Sequence, residues 1–352
     1  MKYRQLGRSG LRVSVLTMGA LTFGGRGVFA PVGSTGLAEA SRQVDRALDA
    51  GVNLIDTADA YSGGASEEIV GQALKGRWDR MLIATKARMP TGAGPNDAGL
   101  SRYHLIDACE QSLRRLGTDH IDLYQMHVWD GVTPVEETLS ALDDLRQAGK
   151  IRYAGCSNYS SWHLMKALGT SDRLGLTRFV SQQIHYSLQS REAEYELVPA
   201  AIDQGVGVLV WSPLAGGLLS GKYRRAAPSP TGTRRFAGWD EPPIRDEGAL
   251  YDIVDVLDRI SRQRGATPAQ VALAWLLTRP AVTSLVIGAR TDDQLAENLA
   301  AADLDLTMDE CALLGEVSTP PLLYPYWHQA KLAGDRLSPA DESLLHPYLR
   351  RS

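Results

Sequence analysis

The chain predicts an α/β fold, a (β/α)8 TIM barrel, on two observations. Eight short apolar runs recur about every 30–40 residues, at Val13–Met18, Asn53–Ile55, Met81–Ala84, Ile121–Tyr124, Ile151–Gly155, Phe179–Gln182, Val206–Val210 and Leu285–Ile287. Each is followed by a polar loop and then an amphipathic segment. Strands alternating with helices mean a parallel sheet joined by crossovers. Eight units is the number that closes such a sheet into a barrel. An open, doubly wound sheet of fewer strands is the rival.

Before the first unit, "YRQLGRSGLRVSVL" reads as an extra hairpin turning at Ser9-Gly10, placed to plug the barrel floor. Between strands, "SRQVDRALDA" puts Val44, Ala47 and Leu48 on one helical face. "HLIDACEQSLRRLG" does the same with Leu105, Ala108, Cys109, Ser112, Leu113 and Leu116, and stops at Gly117. "TPVEETLSALDDLRQAGK" suggests Thr133 as N-cap, Pro134 in the first turn and Glu136 three residues after the cap. Residues 223–249, rich in Pro, Gly and Arg, carry no periodicity and read as a long functional loop. Residues 1–317 form one barrel domain on this reading, and 318–352 a tail wrapped on it.

With 352 residues, 44% of them apolar, the chain can bury a core that needs no disulfide or metal staple. Its net charge of −4 gives no support to a nucleic-acid partner. Cys109, Cys156 and Cys311 show no framework spacing, which fits a reducing compartment. The N-terminus has no apolar signal core and no stretch is long enough to span a bilayer, so the cytoplasm is the expected location. The seven histidines show no metal-ligand spacing, so no metal is expected.

Chemistry in a barrel sits where strands end and loops begin. The second strand closes on Asp56, with Tyr61 five residues on; the third closes on Lys86, the fourth on His127. The fifth closes on Ser157-Asn158, the sixth on Gln183, the seventh on Trp211-Ser212. Singly these have plain explanations: a turn-capping Asp, a solvated Lys, a hydrogen-bonded structural His. Together they suit carbonyl reduction. Hydride arriving at a carbonyl carbon pushes negative charge onto oxygen, which then needs a proton and polar stabilisation. A tyrosine is a poor acid at neutral pH; a neighbouring ammonium lowers its pKa, and a carboxylate fixes that ammonium. Tyr61 would donate, Lys86 tune, Asp56 hold Lys86, and His127 orient the carbonyl.

These stretches, "DTADAYSGGASEEIVGQAL", "ATK" and "SLRRLGTDHIDLYQMH", resemble the aldo-keto reductases, whose Asp, Tyr, Lys and His match Asp56, Tyr61, Lys86 and His127. The resemblance runs from about residue 2 to residue 317 and is closest to the bacterial branch that also resembles potassium-channel β subunits. It implies NADPH, lying across the barrel mouth, and a small carbonyl substrate. Ser157, Asn158 and Gln183 would bond the carboxamide, and Trp211 offers a face for the nicotinamide. Ala20 and Leu21 of "GALTFGG" would line the nicotinamide end, next to Asp56. In "SPLAGGLLSGKY", Ser212, Pro213, Leu214, Gly216, Gly217 and Lys222 would meet the pyrophosphate, with Arg234 closing over it. "IGARTDDQLAENL" would hold the adenosine through Gly288, Arg290, Gln294, Glu297 and Asn298. Phe23 and Trp129 are candidate walls for the substrate.

"GGLLSGKY" is one residue from a phosphate-binding P-loop, but Tyr223 stands where Ser or Thr must hold magnesium. No GxGxxG follows a strand, which argues against a Rossmann dehydrogenase. A cofactor-sensing regulatory protein of the same fold, with little turnover, is the alternative from another class. The sequence leaves the substrate and oligomeric state open.

Overall fold

A computed structural model describes residues 1–225, 227 and 230–349. The chain starts as an antiparallel hairpin, β1 (Tyr3–Gln5) and β2 (Arg12–Ser14), turning through Gly7–Gly10. Eight parallel strands follow: β3 (Leu16–Gly19), β4 (Leu54–Asp56), β5 (Leu82–Ala87), β6 (Ile121–Met126), β7 (Ile151–Ser157), β8 (Phe179–His185), β9 (Gly207–Trp211) and β10 (Val282–Ile287). They pair in chain order, and β10 returns to β3 to close the barrel.

The strands depart from the apolar runs in two informative ways. The run Val13–Met18 is two strands: a bend at Val15 divides the hairpin from the barrel, and Asn53 Oδ1 takes the Ser14 amide at 2.7 Å. At the mouth, β5 to β8 continue two or three residues past their apolar runs. Apolarity ends there, but the ladder does not, because the polar side chains point into the barrel.

Side chains two apart on a strand share a face. Leu54, Ala84, Leu123 and Leu209 make one inward layer, and Leu6 and Val13 of the hairpin pack against it, so the hairpin closes the floor. The approach is tight at Gly7, where φ is +58° and an added Cβ would lie 2.5 Å from the Val180 carbonyl oxygen. Ile55, Ile83, Tyr124 and Met126 face outward into the larger core under the helices. Leu6→Ala should lower unfolding stability by about 2–5 kcal/mol, through lost burial and a cavity under the barrel, measured by denaturant melts.

The helices are α1 (Leu37–Asp49), α2 (Ala65–Ala73), α3 (Arg102–Leu116), α4 (Val135–Gln147), α5 (Ser161–Leu174), α6 (Leu197–Gln204), α7 (Glu247–Arg264), α8 (Pro268–Leu277), α9 (Asp292–Ala300) and α10 (Met308–Val317). The apolar faces read for α1 and α3 are buried, and Gly117 ends α3 in the left-handed conformation. The N-cap of α4 is Pro134 and not Thr133. Asp130 holds the Thr133 hydroxyl at 2.7 Å and also accepts from the Leu100 and Val132 amides, so that hydroxyl is not free to cap.

Beyond residue 317 lie two further helices, α11 (Tyr326–Leu332) and α12 (Pro339–Leu349). Tyr326 stacks on Tyr195 at 5.7 Å and donates to Glu196 at 2.9 Å, and α12 packs against α6. Part of the 223–249 loop (residues 226, 228 and 229) and residues 350–352 lie outside the described residues. No helix among the described residues is long and apolar enough to cross a membrane.

Candidate active site

One layer above the floor, the same alternation turns polar. Two residues on from Leu54, Ala84, Leu123 and Leu209 come Asp56, Lys86, Gln125 and Trp211; Gln183 stands beside them on β8. Lys86 is fully buried. Its ammonium donates to Asp56 Oδ2 at 2.5 Å, to the Thr57 carbonyl at 2.9 Å and to the Tyr61 hydroxyl at 3.4 Å. The other Asp56 oxygen accepts from the side-chain amides of Gln183 at 2.8 Å and Gln125 at 3.0 Å. Each charge is thus paired and hydrogen-bonded, the condition for burying an ion pair.

Tyr61 is carried by a 3-10 turn at the start of the β4–α2 connection, its amide bonded to the Ala58 carbonyl at 3.2 Å. Its ring packs edge-on against Phe29 at 5.5 Å and His127 at 5.7 Å. Burial raises the tyrosine's pKa; Lys86 lowers it, as the sequence implies, but does not outweigh the burial. Burial also pulls Lys86 down, but Asp56 and Tyr61 more than offset it, so the ammonium stays charged. His127 falls to about 3, through burial first and then Lys86 and Arg88. It is therefore neutral at pH 7 and keeps one N–H to donate.

Above this layer opens a cavity of about 1080 Å³. Asp56, Tyr61 and His127 face it, while Lys86 lies beneath. Leu21, Ser157, Asn158, Gln183, Trp211, Ser212, Pro213, Leu214, Gly216, Gly217, Lys222, Arg234, Gly288, Arg290, Gln294, Glu297 and Asn298 all line it. Ala20 does not: it is fully buried, its amide and carbonyl taken by Asp56 O and Ser66 Oγ, each at 2.8 Å. Phe23 is core and Trp129 stacks on His163 at 4.3 Å, so neither walls the cavity. Phe29, Val28, Val32, Met89, Val128 and Trp239 do.

The cavity has two ends. Around Tyr61 and His127 the walls are apolar. At the far end Lys222, Arg234 and Arg290 face it without an ion pair among the described residues. Burial, followed by the charges of Arg290 and Arg234, lowers the pKa of Lys222; burial and Arg290 lower that of Arg234. Three cations gathered on one wall, two of them depressed by burial and by a neighbouring guanidinium, make a site for an anion. Gly216 and Gly217, at φ 67° and 97°, bring backbone to the same wall in a conformation that side chains resist. Arg235 instead donates to the Pro242 carbonyl at 2.6 Å, which separates the two neighbouring arginines. Trp211 Nε1 donates to Asn158 Oδ1 at 2.9 Å, and Asn158 Nδ2 to the His127 carbonyl at 3.1 Å, so the Asn158 side chain is committed to the frame.

The model of the Aldo/keto reductase family matches residues 15–319. The chain belongs to that family. Similar proteins include an uncharacterized oxidoreductase, YrpG, of Bacillus subtilis (strain 168), 39% identical over 91% of this chain and 97% of the relative. A probable voltage-gated potassium channel subunit beta of Arabidopsis thaliana is 37% identical over 86% of this chain and 92% of its own length. Versiconal hemiacetal acetate reductase of Aspergillus parasiticus is 34% identical over 92% and 99%. This aldo/keto reductase is an oxidoreductase of a family that uses nicotinamide cofactors. Sequence reasoning missed Gln125, which anchors Asp56 from near the end of β6. The alternation Leu123, Gln125, His127 is the signal that places it inward.

Proposed function

We propose that this aldo/keto reductase reduces an aldehyde or ketone to an alcohol with NADPH, and that Tyr61 donates the proton. The observation that carries the reading is the buried Lys86 ammonium bridging Asp56 and Tyr61 at the edge of the cavity. The cavity's lining fits the cofactor: three cations without an ion pair among the described residues for its phosphates, two left-handed glycines, and the Trp211 ring. When bound, NADPH supplies the hydride. The residues supply the rest. Tyr61 and the neutral His127 present hydrogen-bond donors to the carbonyl oxygen as its charge grows. Lys86 offsets the negative charge left on the tyrosine oxygen. Asp56, gripped by Gln125 and Gln183, keeps Lys86 in place.

The apolar walls Val28, Phe29, Met89 and Trp239 favour a substrate whose carbonyl is attached to an apolar body. A panel of carbonyl compounds, followed by loss of NADPH absorbance, tests the reading. Apolar aldehydes should be consumed and anionic keto acids poorly. Tight NADPH binding with no turnover across the panel would support the second reading, a cofactor-sensing regulatory protein. The similarity to potassium channel β subunits favours that alternative.

Preference for NADPH over NADH needs a cation on the ribose phosphate. Arg290 stands just before α9, whose Thr291 N-cap orients amides toward the same place. Arg290→Ala should weaken NADPH binding by roughly ten- to a hundredfold and leave NADH binding nearly unchanged. Quenching of tryptophan fluorescence would measure both. Equal losses would mean that Arg290 supports the loop only.

A further inference from the structure

Two residues before Tyr61 stands a carboxyl group that the mechanism above does not use. Asp59 is 2% exposed. Neither of its carboxyl oxygens has a hydrogen-bond partner among the described residues. The Ala60 amide lies close enough to favour the charged form but outside hydrogen-bond geometry. The backbone on either side is fixed: the Asp59 amide donates to the Lys86 carbonyl at 3.1 Å, and the Tyr61 amide to that of Ala58. An ionised carboxylate left dry and unbonded is among the costliest things a protein can bury.

The groups facing it come from every neighbouring element. Lys86 on β5 is already paired with Asp56. Arg115 on α3 donates to Glu67 of α2 at 2.7 Å, and Glu67 also accepts from Thr85 at 2.6 Å. Tyr124 on β6, fully buried, also lies within reach of the Asp59 charge. Among the described residues each of these cations has a carboxylate of its own, and Asp59 is paired with neither.

We propose, resting on the reductase reading, that Asp59 is a positioning residue: it is held as the neutral acid, and losing its proton makes Tyr61 a weaker proton donor. Asp59 is raised to about 8, by burial first and then by the Glu67 charge. Its negative form adds to the charge that holds the Tyr61 proton. Below that pH, Asp56 is the carboxylate that Lys86 must balance, and the ammonium is directed at Tyr61. Above it, a second carboxylate competes.

The proton makes an independent stability prediction. A carboxyl whose folded pKa lies above its unfolded value destabilises the fold progressively as pH rises between the two, from about 4 to about 8. Asp59→Asn removes that titration. Melting temperatures of the two proteins should therefore diverge as pH rises from about 5 to about 8, with the variant the more stable, and run parallel above that. A constant difference would overturn the proposal. Should the variant fold poorly, the wild type carries the test alone: its infrared spectrum should show a protonated-carboxyl band at neutral pH that is lost in alkali, and absence of the band would overturn it.

The role toward Tyr61 is read from kcat/KM for reduction. The wild type should lose activity as pH rises through about 8, on the order of tenfold by one unit above, the scale of one charge near a titrating group. Asp59→Asn should lack that limb, and Asp59→Glu should keep it. The same limb in Asp59→Asn would overturn the role. A wild type without turnover at any pH is a different result, and sinks the reductase reading itself.

Discussion

Tyr61→Phe is expected to slow the chemical step by at least about a hundredfold, the usual scale for losing a general acid. The substitution keeps the ring and its edge contacts with Phe29 and His127 and removes only the hydroxyl that Lys86 reaches at 3.4 Å. The cations and glycines at the other end of the cavity are untouched, so NADPH affinity should hold. Single-turnover rates and cofactor titration check the two halves. Near-normal chemistry in this variant would remove Tyr61 from the donor role.

Lys86→Met is expected to impair the same step about as severely. It also removes the ammonium paired with Asp56, leaving a buried carboxylate with the amides of Gln125 and Gln183 for partners. Breaking a buried pair from one side costs about 3–5 kcal/mol. The variant should therefore be both slow and less stable, whereas Tyr61→Phe should be slow and nearly as stable as the parent. Combining the two should cost little more catalysis than either alone, because the residues act as a unit. Fully additive losses would give Lys86 a separate task. Denaturant melts of all three, beside their rates, separate the effects.

The barrel was legible because eight apolar runs alternate with amphipathic helices, and the strand ends were legible because Asp56, Lys86, His127 and Gln183 interrupt those runs. What was missed along the strands shares one cause. A polar residue that ends an apolar run looks like a strand end, but strands continue wherever the polar side chain points inward. That is why β5 to β8 outrun their apolar runs and why Gln125, inside β6, escaped notice. The walls of the cavity were misread for another reason. Phe23 and Phe29 are six positions apart in one irregular segment, and no periodicity says which is core and which faces the opening. Trp239 sits in a loop without repeat, so its approach to Phe29, at 6.3 Å, is visible only in three dimensions. Ala20 was placed at the cofactor for its position after β3, but its backbone is consumed in tying β3 to the β4 strand end.

The central claim, that this cavity carries hydride chemistry with Tyr61 as donor, is tested most directly with NADPH deuterated at the transferring position and an apolar aldehyde. The account predicts an alcohol carrying one deuterium on the former carbonyl carbon, formed by the wild type and at least about a hundredfold more slowly by Tyr61→Phe. An alcohol without deuterium, or no alcohol from protein saturated with NADPH, would contradict it.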